Sequence, residues 1–146
     1  MGLNMEKQGK TYGPYRYKAG LEKIKEFAEA IKSEDKHYLD EEFAAKTPHG
    51  GVIAPPTFCV NFNMRPFAAA VMDPELNVNV AFLVHGEQEF EFFRPVKDGD
   101  ILITTGVVEK MWTKGNLEFF SVRAETKDES GQPIVTGRYT GVIRNM

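Results

Sequence analysis

Pro56-Thr57-Phe58-Cys59-Val60-Asn61-Phe62-Asn63-Met64-Arg65-Pro66-Phe67-Ala68-Ala69-Ala70-Val71 carries apolar side chains around most of a helical circumference. Val60, Met64, Phe67 and Val71 keep one helical row, while Phe58, Phe62 and Ala69 line another. Proline suits a first helical position, so the helix is expected to start at Pro56. A helix that is apolar on most sides is usually buried. Pro66 lacks a backbone donor and collides with the preceding turn, which predicts a break near Arg65.

What covers this helix lies on its C-terminal side. Lys97-Asp98-Gly99, Lys114-Gly115-Asn116 and Asp128-Glu129-Ser130-Gly131 are hairpin punctuation. They separate four stretches, roughly 79–96, 100–113, 117–127 and 133–144, most of them long beside the usual strand of about 5–6 residues. Ile101, Ile103, Thr105 and Val107 alternate with polar or small neighbours, as do Phe120, Val122 and Ala124. Long meandering strands and one apolar helix predict an α+β fold, a curved antiparallel sheet wrapped around a central helix.

Upstream, Tyr12-Gly13-Pro14-Tyr15-Arg16-Tyr17 reads as a short extended segment. Leu21, Ile24, Phe27, Ala28 and Ile31 form a helical stripe that stops near Lys32. Asp40-Glu41-Glu42 reads as the acidic first turn of a short helix reaching Lys46. Residues 1–10 are polar and expected to fray, leaving 11–146 as one domain.

Composition narrows the function. The 146 residues carry a net charge of -3, without the basic footprint of a nucleic-acid binder. A single cysteine, Cys59, excludes an intrachain disulfide and a cysteine zinc cluster. The apolar runs Phe67–Met72 and Val78–Val84 are too short to span a membrane, and the N-terminus has no apolar signal core. A soluble cytoplasmic domain is expected. His37, His49 and His85 form no metal-ligand spacing with each other or with the acids.

Two stretches make the architecture specific. One is Phe27-Ala28-Glu29-Ala30-Ile31-Lys32-Ser33-Glu34-Asp35-Lys36-His37-Tyr38-Leu39-Asp40-Glu41-Glu42-Phe43-Ala44. The other is Leu83-Val84-His85-Gly86-Glu87-Gln88-Glu89-Phe90-Glu91-Phe92-Phe93-Arg94-Pro95, followed by Gly99-Asp100. Together they resemble the MaoC-like dehydratases, a hot dog fold family. The closest branch is the MaoC dehydratase N-terminal domain, which includes acyl-binding subunits of (3R)-hydroxyacyl-ACP dehydratases. The resemblance runs from about Tyr15 to Arg144. It implies hydration of an enoyl thioester, or the reverse, by an Asp–His pair that activates water and a backbone N–H that holds the thioester oxygen. It implies no cofactor.

The family pattern Gly-Asp-x-Asn-Pro-x-His-x-Asp, laid on this chain, ends on Asp40. Its Gly falls on Lys32, the catalytic Asp on Ser33, the Asn on Asp35, the Pro on Lys36 and the catalytic His on Tyr38. The His-Gly that would supply the oxyanion donor reads Ala54-Pro55, and proline has no N–H. No catalytic residue is therefore intact; Ser33, Tyr38 and Pro55 are vestigial positions. The resemblance implies a half-site: an acyl-binding subunit, without strong chemistry of its own, beside a catalytic hot dog chain or a second copy. Its ligand would be an acyl-CoA or acyl-ACP thioester, with Phe58, Phe62 and Met64 as cleft walls and His85-Gly86 as a further substrate contact.

Simpler readings stand beside these. Ser33 and Tyr38 cap a helix or fill space, Asp35 caps a turn, His37 and His49 sit in solvated loops, and His85 fixes a strand bend at Gly86. Other functions remain open: a stand-alone acyl-thioester binder, a homomeric hydratase using His37 or His85, or a thioesterase using Asp35 or Glu42.

Overall fold

Gly115, with a left-handed backbone (φ 60°), closes one predicted turn. At the next, the Asp128 carboxylate gathers the N–H groups of Ser130 and Gln132. The computed structural model describes residues 2–145; Met1 and Met146, the outer limits of the two expected segments, lie outside the described residues. Five strands result: β1 (Thr11–Lys18), β2 (Leu83–Phe92), β3 (Ile101–Lys114), β4 (Leu117–Asp128) and β5 (Pro133–Arg144). They pair antiparallel in the order β1-β3-β4-β5-β2. Register shifts at Tyr12/Tyr15, His85/Glu87 and Val108/Lys110 mark bulges, which bend a sheet and raise its twist.

Among the described residues, five α-helices accompany the sheet: α1 (Leu21–Ala30), α2 (Lys36–Leu39), α3 (Glu41–Ala45), α4 (Val60–Asn63) and α5 (Arg65–Val71). The stripe of α1 buries Ile24 and Ala28, and Lys32 leaves the helix in a left-handed conformation (φ 58°). The central helix is broken as Pro66 predicts: a 3-10 turn over Pro56–Cys59, then α4, then α5, with Met64 at the joint. Phe58 and Phe62 form one aromatic cluster with Tyr17 and Phe27. Phe67 stacks on Phe120 and Tyr139 in a second.

The joint is pressed against the sheet. A Cβ added at Gly106 would overlap Pro66, and one at Gly137 would overlap the Asn63 side chain. Asn63 is wholly buried. Its Nδ2 donates to the Ala124 carbonyl (3.1 Å) and to Thr126 Oγ1 (3.0 Å), and its Oδ1 accepts from the Tyr139 hydroxyl (2.6 Å). The Thr104 and Thr126 hydroxyls complete the network at 2.7 Å. Burial pushes the Tyr139 phenol far above its usual range, so it remains a donor.

Three expectations need correction. On β3 the inward row is Leu102, Thr104, Gly106 and Val108 rather than Ile101, Ile103, Thr105 and Val107. The helix joint needs a glycine beneath Pro66 and the buried network needs the Thr104 hydroxyl, so contact overrides simple hydropathy. The stretch 79–96 is strand only over Leu83–Phe92, with a 3-10 turn at Val80–Phe82. The opening residues, expected to fray, are tied down from residue 2 onward. Leu3 is buried and its N–H meets the Glu118 carboxylate, Asn4 N–H donates to Leu76, and Gly9 N–H to Val108. Lys10 and the Tyr12 hydroxyl both reach the Asp73 carboxylate.

Candidate functional site

A cleft of about 320 Å³ opens where the loop before the central helix meets the β2–β3 connection. Ile53, Ala54, Pro55, Pro56 and Cys59 line one side; Phe92, Phe93, Arg94, Pro95 and Val96 line the other. Ile134 and Val135 of β5 form the floor, and Tyr38 of α2 stands at the rim. Backbone bonds hold the walls together: Ala54 N–H donates to Val96 (2.8 Å), Asp98 N–H to Val52 (3.2 Å) and Ile53 N–H to His37 (3.1 Å).

The Arg-Pro and Gly-Asp phrase fixes the second wall. Arg94 reaches Asp100 through both terminal nitrogens (2.8 and 3.3 Å) and Asp128 through one (3.0 Å). Asp100 also accepts the Lys97 N–H (2.7 Å). Its bond to Arg94 raises the guanidinium's pKa more than burial lowers it. Hydrogen bonds from Ser130 and Arg94 hold Asp128 far below the usual carboxylate range. The clamp thus joins the end of β2 to the start of β3 and the end of β4.

The side chains facing the cleft are poor proton carriers at neutral pH. Burial pushes the Cys59 thiol up to about 12. Burial, then the Asp35 charge, raise the Tyr38 phenol. Arg94 is already committed to two carboxylates. Among the described residues, no Asp, Glu or His lines the cleft.

The cleft brings together two of the three vestigial positions, Tyr38 and Pro55. Ser33 stands outside it: its N–H donates to Ala28 and its hydroxyl accepts from Asp35 N–H (3.3 Å). Asp35 caps α2, accepting the His37 N–H (2.9 Å) and lying 2.7 Å from His37 Nδ1. Those bonds, the backbone one first, hold its carboxyl below the ordinary value. His37 is therefore on a short capped helix rather than in a free loop, with its ring edge-on to Phe43 and near His49.

The expected wall residues are corrected. Phe58 and Phe62 are fully buried beneath the cleft, and Met64 packs into the second core cluster. Their side chains are used in packing, and Pro56 and Cys59 present the helix to the cleft instead. His85 and Gly86 lie at the other end of β2, away from the cleft. His85 stacks on Phe67 (5.4 Å between ring centres), and Gly86 sits in a bulge where a Cβ would meet Val142. The missed wall, Phe92–Val96, had one signal in the sequence: the glutamate–aromatic alternation of β2 stops at Phe92-Phe93-Arg94-Pro95.

A sequence profile described as the FAS1-like, dehydratase domain region matches residues 6–137. The chain belongs to this FAS1-like dehydratase family. Members of similar length include a UPF0336 protein of Saccharopolyspora erythraea, 40% identical over 145 residues that cover 99% of this chain and 93% of the relative. Another, from Streptomyces griseus, is 38% identical over 137 residues, covering 93% and 91%. Among solved structures, the C-terminally truncated HadBC (3R-hydroxyacyl-ACP dehydratase) complex of Mycobacterium tuberculosis superposes with a TM-score of 0.83 at 23% identity, covering 96% of this chain and 99% of that one. The MaoC-like dehydratase of Rhodospirillum rubrum gives 0.72 at 18% identity, covering 95% and 93%. The ChsH1–ChsH2 complex of M. tuberculosis gives 0.75 at 14% identity, covering 92% and 89%. The resemblance to MaoC-like dehydratases stands, and this member of the FAS1-like dehydratase family has their hot dog fold.

Proposed function

We propose that this chain is the acyl-binding, weakly catalytic or non-catalytic half of a heteromeric hydro-lyase acting on enoyl or 3-hydroxyacyl thioesters. One observation carries the reading: a preformed apolar cleft that holds Tyr38 and Pro55, two of the vestigial positions the resemblance implies, is lined, among the described residues, by no carboxylate or imidazole. Hydration of an enoyl thioester needs a group that takes a proton from water near neutrality and a donor for the enolate oxygen. Tyr38 and Cys59 hold their protons, and Pro55 has no N–H to donate. Ser33, Tyr38 and Pro55 would then be the degenerate counterparts of the dyad and the oxyanion donor. The apolar lining is what an acyl chain requires, and a volume near the lower end of small-molecule sites suits a cleft that a second chain completes.

The Asp35–His37 pair favours a second reading, a homomeric hydratase with displaced chemistry. Its weakness is position, since neither side chain lines the cleft. Crotonyl-CoA hydration by the purified chain, with thioester binding followed by calorimetry, separates the two. The half-site reading expects binding of an acyl-CoA without turnover, and turnover only when a hot dog chain with an intact Asp–His pair is added. Rapid hydration by the chain alone, abolished by His37→Ala, would establish the second reading instead.

A further inference from the structure

The cleft ends on a packed floor. Ile134 and Val135, each 1% exposed, belong to the same core cluster as Cys59, Phe58 and Phe62. In that cluster the rings interlock: Phe58 meets Phe27 edge-on at 5.5 Å and Tyr17 at 6.4 Å between centres, and Phe62 stacks on Tyr17 at 5.6 Å. An interior packed this way yields little volume without strain. Phe58 and Phe62, expected as walls, therefore act one layer back, as a stop. The side walls are fixed as well. The Ile53–Lys97 bridge and the Ala54–Val96 bond join them, and the Arg94 clamp holds the outer one.

Polarity runs one way along the cleft. Tyr38 supplies a phenol at the rim, whereas Ile134 and Val135 offer only carbon. An acyl chain would lie tail inward, with its thioester beside Tyr38 and Pro55. Volume then sets a count. An apolar cavity of about 150 Å³ takes the six carbons of benzene, or roughly 25 Å³ for each heavy atom. At that density the cleft's volume of about 320 Å³ holds roughly thirteen heavy atoms. The carbonyl oxygen, the sulfur and the first atoms of the carrier arm take about five of these, leaving roughly eight for acyl carbon.

We propose that this chain selects short and medium acyl thioesters, of about eight carbons or fewer, and that Ile134, backed by Phe58, sets the ceiling. The proposal rests on the half-site reading and names the substrate class of that site.

Calorimetric titration of the full chain with saturated acyl-CoAs from butyryl to palmitoyl tests it, each kept below the concentration at which it forms micelles. Wild type should bind about fourfold more tightly for each methylene added up to octanoyl, and no more tightly from decanoyl onward. Ile134→Ala hollows the floor, so its break should move outward by about two to three carbons. Ala54→Leu fills the wall, so its break should move inward by about as much. Lost packing alone would weaken every chain length alike and leave the break in place. Circular dichroism checks that the variants fold, and the wild-type series needs no variant. Affinity that keeps climbing through palmitoyl, or that ignores chain length, would overturn the ceiling. A break unmoved in both folded variants would overturn its assignment to this floor. Each of these results leaves the half-site reading intact, because acyl-CoA still binds. Absence of binding at every length would remove that reading and the ceiling together, so the two failures are distinguishable.

Discussion

Replacing Asn63 by alanine removes the side chain whose hydrogen bonds tie the helix joint to β4 and β5. Three hydrogen bonds disappear, to Ala124, Thr126 and Tyr139. At about 1 kcal/mol net for each, the loss is roughly 3 kcal/mol, and the Tyr139 hydroxyl is left buried without an acceptor at a further cost of about 1–2 kcal/mol. The expected destabilisation is therefore about 4–5 kcal/mol, a large share of a typical domain's stability, and a melting temperature lower by about 10 °C or more. Urea unfolding followed through the single tryptophan, Trp112, measures it. Tyr139→Phe alone should cost about 1–2 kcal/mol, and the double variant clearly less than the sum of the two, because the orphaned hydroxyl is then gone. A cost below about 1 kcal/mol for Asn63→Ala, or strict additivity, would refute the claim that this network is satisfied and dry.

Four further outcomes are expected. Burial alone would raise the Asp73 carboxyl, but bonds from Lys10 and Tyr12 outweigh it and hold the group at about 2. Its contribution is therefore complete above the ordinary carboxylate pKa of about 3.9 and lost as pH falls toward 2; Asp73→Asn should flatten the acid limb of stability measured by fluorescence. Cys59, with its thiol buried and pushed up to about 12, should resist iodoacetamide at pH about 8 and react once denaturant opens the fold. Gly137→Ala forces a methyl group onto the Asn63 side chain, and thermal melting should show a loss of about 1–3 kcal/mol. Arg94→Met should weaken acyl-CoA binding in calorimetry, with the far-ultraviolet spectrum unchanged, because it frees one cleft wall and spares the sheet ladder.

Turn chemistry made most of the sheet legible. Gly115 and the Asp128–Gly131 turn act locally, so the limits of β3, β4 and β5 follow from a few residues each. Pro66 is equally local, and the break at Met64 falls one residue from its expected place. The phase of β3 was not legible, because Gly106 faces inward beneath Pro66 and Thr104 faces inward to join the Asn63 network through Thr126, and both Pro66 and Asn63 are about forty positions away in the chain. The candidate site divides the same way. Tyr38 and Pro55 could be placed from a local pattern, but the cleft's second wall depends on Arg94 finding Asp128 across the fold. Phe58 and Phe62 read as wall because they are large and apolar; only the tertiary arrangement decides which apolar residues a cleft keeps and which the core takes.

The sheet's two margins differ in a way that bears on how far strand addition can go. Along β1 the register slips between Tyr12 and Tyr15, and Pro14 stands in the slip without an amide hydrogen, so that side offers a poor template for another chain. β2 keeps an uninterrupted run from Glu87 to Phe92. With one margin blunted and the other regular, strands can be added to this sheet on one side only, so the sheet itself cannot be extended border to border in both directions.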